Sequence, residues 1–278
     1  MRVIWETEVG DLALYAIEDG WSRRDPSVMF DDSDPSVWEA NPQFLDDGFL
    51  RVSFGCFLLR SGDDLSLIDT GNGVQENLDE GANSGLLQTA LGHLGIAPDE
   101  ITRVVHTHLH PDHMGGDVND GAPAFPNAAH WTHEKELEFW RSRQHLAADA
   151  VLADMDIIHD AGLMSIITED HQIADSLTMI ESFGHTPGHT SVLIASKNER
   201  AYIAGDLTHH PLQAVHNWNV VYDIDKEAAA DTRAKMFAQL ADSGVILAAG
   251  HYPRPGMGRV VSDEGFRVFT PAAARRIV

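Results

Sequence analysis

Apolar positions alternate from Asp11 to Glu18: Leu12, Leu14 and Ala16 fall on one parity, and Ala13, Tyr15 and Ile17 on the other, which predicts a strand. Val52–Arg60 and Leu65–Asp69 predict two more strands, joined by the turn Ser61-Gly62-Asp63-Asp64. The period then lengthens. Leu86, Leu87, Ala90, Leu91 and Leu94 share one helical face, with Ser84 as the expected N-cap and Gly95 as the stop. Thr102–His106 is a short buried strand running into a polar loop. His133–His145 predicts a helix that turns Leu137, Phe139 and Trp140 inward. Leu177–Ser182 is a strand, and Ser191–Ser196 and Ala201–Ala204 form a hairpin around Lys197-Asn198-Glu199-Arg200. Asp225 caps a helix from about Lys226 to Ala241, with Met236, Phe237 and Leu240 on its apolar side, and Val245–Ala248 ends the series as a strand.

Strands meeting in hairpins and interleaved with helices suggest two sheets, each covered on one face by helices. No linker-like tract divides the chain, so residues 1–278 are read as one domain. Trp21–Phe54 stands apart. It carries Trp21, Phe30, Trp38, Phe44, Phe49 and Phe54 with Pro26, Pro35 and Pro42, and has no helical period. It is expected to be a long excursion pinned by aromatic anchors, or else an apolar lid, a pocket wall or a contact between two copies.

Charge narrows the partners. With 43 Asp and Glu against 19 Lys and Arg, the formal charge is −24, which opposes nucleic acids, anionic membrane surfaces and polyanionic substrates. The single cysteine, Cys56, excludes an intrachain disulfide and a thiolate-rich metal cluster, and is expected to be a small buried residue of a strand. Met1–Glu6 contains no apolar stretch long enough for a signal peptide and no run is long enough to span a bilayer, so the expected location is the cytoplasm.

The candidate chemistry lies in histidine. The run His106-Thr107-His108-Leu109-His110-Pro111-Asp112-His113 packs four histidines and one aspartate behind an apolar strand. Neutral imidazoles and a carboxylate suit Zn, Fe, Mn, Co or Ni, and burying so many polar rings without partners would be costly. Three further strand ends present ligand types: His185 and His189 in Gly184-His185-Thr186-Pro187-Gly188-His189, Asp206 in Gly205-Asp206, and His251 in Gly250-His251. Each is weak alone, but together they are what one chain needs to encircle two metals.

From these residues, with Leu67-Ile68-Asp69-Thr70-Gly71 upstream, the chain resembles the metallo-β-lactamase-fold hydrolase superfamily over roughly residues 50 to 255. The resemblance implies an αββα sandwich, two mixed β-sheets packed face to face with helices on the outer faces. It implies that His108, His110 and His185 hold one divalent cation and that Asp112, His113 and His251 hold a second, with Asp206 between them. Asp69 would accept a hydrogen bond from a ligand ring, while His189 would support its neighbours and His106 would be an additional residue outside the ligand sets. The implied reaction is attack of a hydroxide shared by two cations, most often zinc, on a lactone or an aryl or carboxylic ester. Asp112 would move a proton to the leaving alkoxide. Without a cysteine near Asp206 the chain is unlike the lactamases that use one. It is most similar to the quorum-quenching lactonases and the methyl-parathion-hydrolase-like group, with His209 where many lactonases carry tyrosine. Organophosphate triesters and β-lactams are the alternative substrates, and a mono-iron oxidoreductase or a non-catalytic metal binder the alternative classes. The expected partners are a small uncharged or apolar substrate and a second copy of the chain.

Overall fold

In the computed structural model, which describes residues 4–30, 32–75 and 82–277, the two faces of the alternating strand enter two different cores. Leu12, Leu14 and Ala16 join Phe57, Leu59, Ile68 and Val105 in an apolar layer shared with Met179, Val192, Ile194, Ala201 and Ile203 of a second sheet. Tyr15 and Ile17 point the other way, with Cys56, Leu58 and Leu67, onto Leu87, Ala90 and Leu91 of the helix Leu87–His93. Apolar residues on both parities therefore mark a strand covered on both faces, by a sheet on one side and a helix on the other.

Among the described residues the first sheet has nine strands. Its main path runs Met164–Ile167, Ala129–His133, Arg103–Val105, Asp64–Ile68, Phe49–Ser61, Leu12–Arg24, Ile4–Val9, Arg275–Arg276. Among the described residues the second has seven, in the order His171–Ala174, Leu177–Glu181, Thr190–Ser196, Glu199–Ile203, Ile246–Ala248, Met257–Asp263, Phe266–Pro271. Both are mixed. Arg103–Val105 runs parallel to Asp64–Ile68 and Ala129–His133, and Glu199–Ile203 runs parallel to Ile246–Ala248. The helix Lys226–Leu240 seals the outer face of the second sheet through Met236, Phe237 and Leu240 against Leu247 and Val260. Helices Glu134–Arg141 and Ala148–Asp160 close over Leu109 and Met114 through Leu137, Trp140, Val151 and Met155. This is the expected two-sheet sandwich with helices outside.

Three local expectations need correction. Ser84 does not cap the first long helix. Asp19, a buried residue of the strand Leu12–Arg24, does so instead: its carboxylate accepts from the Leu87 N–H at 2.9 Å and from Asn72, Gly73 and Gly85 at 3.0–3.2 Å. One carboxylate with four lone-pair sites outcompetes a hydroxyl that would satisfy a single donor. The segment 21–54 is also not one excursion. Its ends continue the strand pair, with Trp21 opposite Ser53 and Arg24 opposite Leu50, because pairing satisfies main-chain groups that a loop would leave to water. Its middle holds two short helices, Pro26–Met29 and Pro35–Ala40, each begun by an Asp-Pro-Ser-Val sequence in which Asp25 or Asp34 accepts from the N–H two residues on. Phe30 and Trp38 of this middle pack on Trp218, Leu50 and Val52. Third, the helix expected over 133–145 ends at Arg141.

Replacing Asp19 by Ala strands those N–H groups in a buried turn. The expected loss is about 2–4 kcal/mol of folding stability. By thermal denaturation this should appear as a midpoint lower by roughly 5–10 °C, with Asp19→Asn intermediate.

Candidate metal centre

The strand Arg103–Val105 ends at the run of histidines, and Pro111 starts a single helical turn, Pro111–Met114, that folds His113 back toward the strand end. The second sheet brings its residues from the other side. His185 and His189 lie in the loop between Leu177–Glu181 and Thr190–Ser196, Asp206 follows Glu199–Ile203, and His251 follows Ile246–Ala248. Gly205 has φ of 56°, and a Cβ there would sit 2.7 Å from His189 Nε2, so only glycine lets the Asp206 turn approach this closely.

The side chains converge. His110 Nδ1 lies 2.9 Å from His108 Nε2 and 3.0 Å from His185 Nε2. His113 Nε2 and His251 Nε2 are 3.4 Å apart, with Asp112 Oδ2 3.6 Å from His251. Asp206 reaches both sets: Oδ2 is 3.3 Å from His185, 3.7 Å from His108 and 3.1 Å from His251, and Oδ1 is 3.1 Å from His113. Donors arranged tetrahedrally around a cation at ~2.1 Å stand about 3.4 Å apart, so these separations match donors sharing an ion. The four atoms of His108, His110, His185 and Asp206 form one candidate metal group and Asp112, His113 and His251 another. The residues therefore fit two divalent cations of the kind that nitrogen and carboxylate donors take.

Outer hydrogen bonds aim the rings. His113 Nδ1 donates to Asp69 Oδ2 at 2.8 Å, His185 Nδ1 to Asp223 Oδ1 at 2.9 Å and His251 Nδ1 to the Ser53 carbonyl at 2.7 Å. Each bond fixes the tautomer and turns the Nε2 lone pair inward. Asp69 is held in turn by the N–H and hydroxyl of Thr107, both at 2.8 Å, and Asp223 by Arg233 at 3.0 Å. Burial, reinforced by neighbouring imidazoles, drives His108 and His110 well below the usual histidine range. At His113 and His251 burial opposes charge, but the Asp206 carboxylate outweighs it and raises both above the usual histidine range. The same imidazoles keep Asp206 ionised against its burial.

Of the residues singled out from sequence, His108, His110, Asp112, His113, His185, Asp206 and His251 meet here. Asp69 stands behind His113. His189 accepts from the Asp206 N–H at 3.0 Å and is itself anchored by Ser182. His209 Nε2 lies 3.1 Å from Asp206 Oδ2, its ring stacks on His251 at 5.0 Å, and burial lowers its pKa to about 4. His106 does not join the centre but turns to Asp117. Asp223, Arg233 and the Ser53 carbonyl were not read from sequence. Nothing local marks them, because each becomes a partner only through the tertiary packing of a strand, a loop and a helix.

Asp69 has φ of 57°, a conformation that Asn shares with Asp, so Asp69→Asn keeps the backbone and removes one acceptor. Affinity for divalent metal, measured by competition with a chromogenic chelator, should fall ~10–100-fold with an unchanged circular dichroism spectrum. Unchanged affinity would remove Asp69 from this role.

A cleft of about 390 Å³ opens over the centre, lined by Met29, Val52, Phe54 and Tyr222 with Arg24, Asp112, His209 and His251. A family model for the metallo-beta-lactamase superfamily matches residues 56–251. An N-acyl homoserine lactonase of Bacillus cereus is 26% identical over 163 residues, 53% of this chain and 60% of that protein, so the match spans about three-fifths of that relative's length. Among solved structures, the hydrolase AbOPH of the beta lactamase superfamily superposes with a TM-score of 0.87 at 27% identity, over 98% of both chains. The dizinc quorum-quenching lactonase AidC, solved with the product N-hexanoyl-L-homoserine, superposes with a TM-score of 0.85 at 23% identity, again over 98% of both chains. The two-sheet architecture, the converging donors and the matched family model agree: this chain belongs to the metallo-β-lactamase superfamily.

Proposed function

We propose that this protein is a metal-dependent hydrolase that opens lactones, with N-acyl homoserine lactones as the first substrates to test. The observation that carries the reading is Asp206: one buried carboxylate whose two oxygens face two separate sets of donors. In this reading His108, His110 and His185 hold one divalent cation, Asp112, His113 and His251 the other, and Asp206 links them. Bound cations supply Lewis acidity toward a carbonyl and toward water.

The chain's own groups do the rest. Met29, Val52 and Phe54 offer an apolar wall of the size and character that receives an acyl chain, and keep bulk water off one side of the cleft. Asp112 is 29% exposed at the cleft wall, where its carboxylate can take the proton given up by the attacking water and pass it to the alkoxide that leaves when the ring opens. His209, gripped by Asp206 and stacked on His251, is positioned to touch the bound ester from the same wall. The lactonase relatives support this choice of substrate, and the −24 charge supports uncharged ligands over polyanions.

The metal-loaded protein should release acid from N-acyl homoserine lactones, followed with a pH indicator, and lose that activity on treatment with a chelator. Turnover of aryl esters or phosphotriesters with no lactone opened would overturn the substrate assignment. Asp206→Ala should cost at least ~10²-fold in kcat/KM together with bound metal, more than is typical for groups that merely orient ligands. His106→Ala should be milder than His108→Ala; the reverse order would show that the ligand register is displaced by one step.

A further inference from the structure

His106 opens the histidine run, yet its ring turns to Asp117 and to His130 of the strand Ala129–His133. All three side chains are buried, at 1%, 0% and 2% exposure respectively. His106 Nε2 approaches Asp117 Oδ2 at 3.0 Å and His130 Nδ1 approaches the same oxygen at 3.6 Å, and one donor atom from each residue lies within 4.8 Å of the others. His106 Nδ1 and His130 Nε2 have no partner among the described residues, and Asp117 Oδ2 meets the two rings only through these ion contacts. The other oxygen, Oδ1, takes the Thr70 hydroxyl at 3.0 Å, which aims Oδ2 at the imidazoles.

Two buried imidazoles around one carboxylate oxygen, each with its other ring nitrogen left without a partner, are costly in a closed interior, and a hydrocarbon core has no use for them. Two imidazole nitrogens and a carboxylate oxygen that converge from three separate pieces of chain form the same donor set, at similar spacing, as the centre above. We propose that His106, Asp117 and His130 form a third divalent-cation site, with zinc as the ion of best-matched chemistry. None of the three lines the substrate cleft, so the ion is structural. It ties the end of the strand Arg103–Val105, the turn after Met114 and the strand Ala129–His133 together, two residues upstream of His108.

The proposal does not depend on the catalytic reading, and its test keeps them apart. Full-length protein is saturated with zinc, freed of excess, and its metal per chain measured by inductively coupled plasma mass spectrometry. His130→Gln and Asp117→Asn should each carry one equivalent less than wild type, whatever the total, with an unchanged circular dichroism spectrum. Asp206→Ala should lose zinc from the other centre and keep this equivalent. Anomalous diffraction at the zinc edge from wild-type crystals should give a peak between His106, Asp117 and His130, a measurement that needs no variant to fold. Absence of that peak, or equal zinc in folded wild type and variants, overturns the proposal and leaves a His–Asp ion pair that shares a proton.

Discussion

A buried carboxylate surrounded by imidazoles is the constraint on which the site turns. Asp206 is 3% exposed and lies within 3.7 Å of ring nitrogens from His108, His113, His185, His209 and His251. Burial alone would push its proton back on, and only the concerted field of the rings holds it ionised. The rings have no other reason to be inside. Neither group is tolerable without the other, so the strands that carry them must end at one place.

The fold meets that demand with two sheets. Parallel pairing of Asp64–Ile68, Arg103–Val105 and Ala129–His133 brings Asp69 and the histidine run to one end of the first sheet, at the C-termini of these strands. Parallel pairing of Glu199–Ile203 with Ile246–Ala248 brings Asp206 and His251 to the matching end of the second. The apolar layer between the sheets sets the distance across which they meet. The loops at these strand ends can then carry polar groups while the strands stay apolar, the usual division of labour in such folds. The helix Lys226–Leu240 adds to this from outside, because Arg233 crosses to Asp223 and so steadies His185.

Much of this was legible in the chain. The alternation over Asp11–Glu18 announced a strand, though not that both its faces are covered, and Asp225 announced its helix and caps it through the Ala228 N–H. The metal-type residues were legible because histidines cluster where an apolar strand stops. The Asp-Pro-Ser-Val repeats at 25–28 and 34–37 were readable as helix starts but were masked by the aromatic irregularity around them. Asp19 was not readable as a cap, since the N–H groups it serves lie more than fifty positions later.

Which residue types stand at which strand ends follows from the chain alone, because periodicity and ligand chemistry are local properties. Which of them meet depends on how the sheets pack. His106 and His108 sit two residues apart in similar surroundings, yet one faces Asp117 and the other Asp206. Ser53, Asp223 and Arg233 carry no local mark and still orient the rings. The physical reason is reach. Hydrogen bonds and ion contacts act over about 3–4 Å in space, and that separation is set by sheet register and by the packing between layers rather than by distance along the chain.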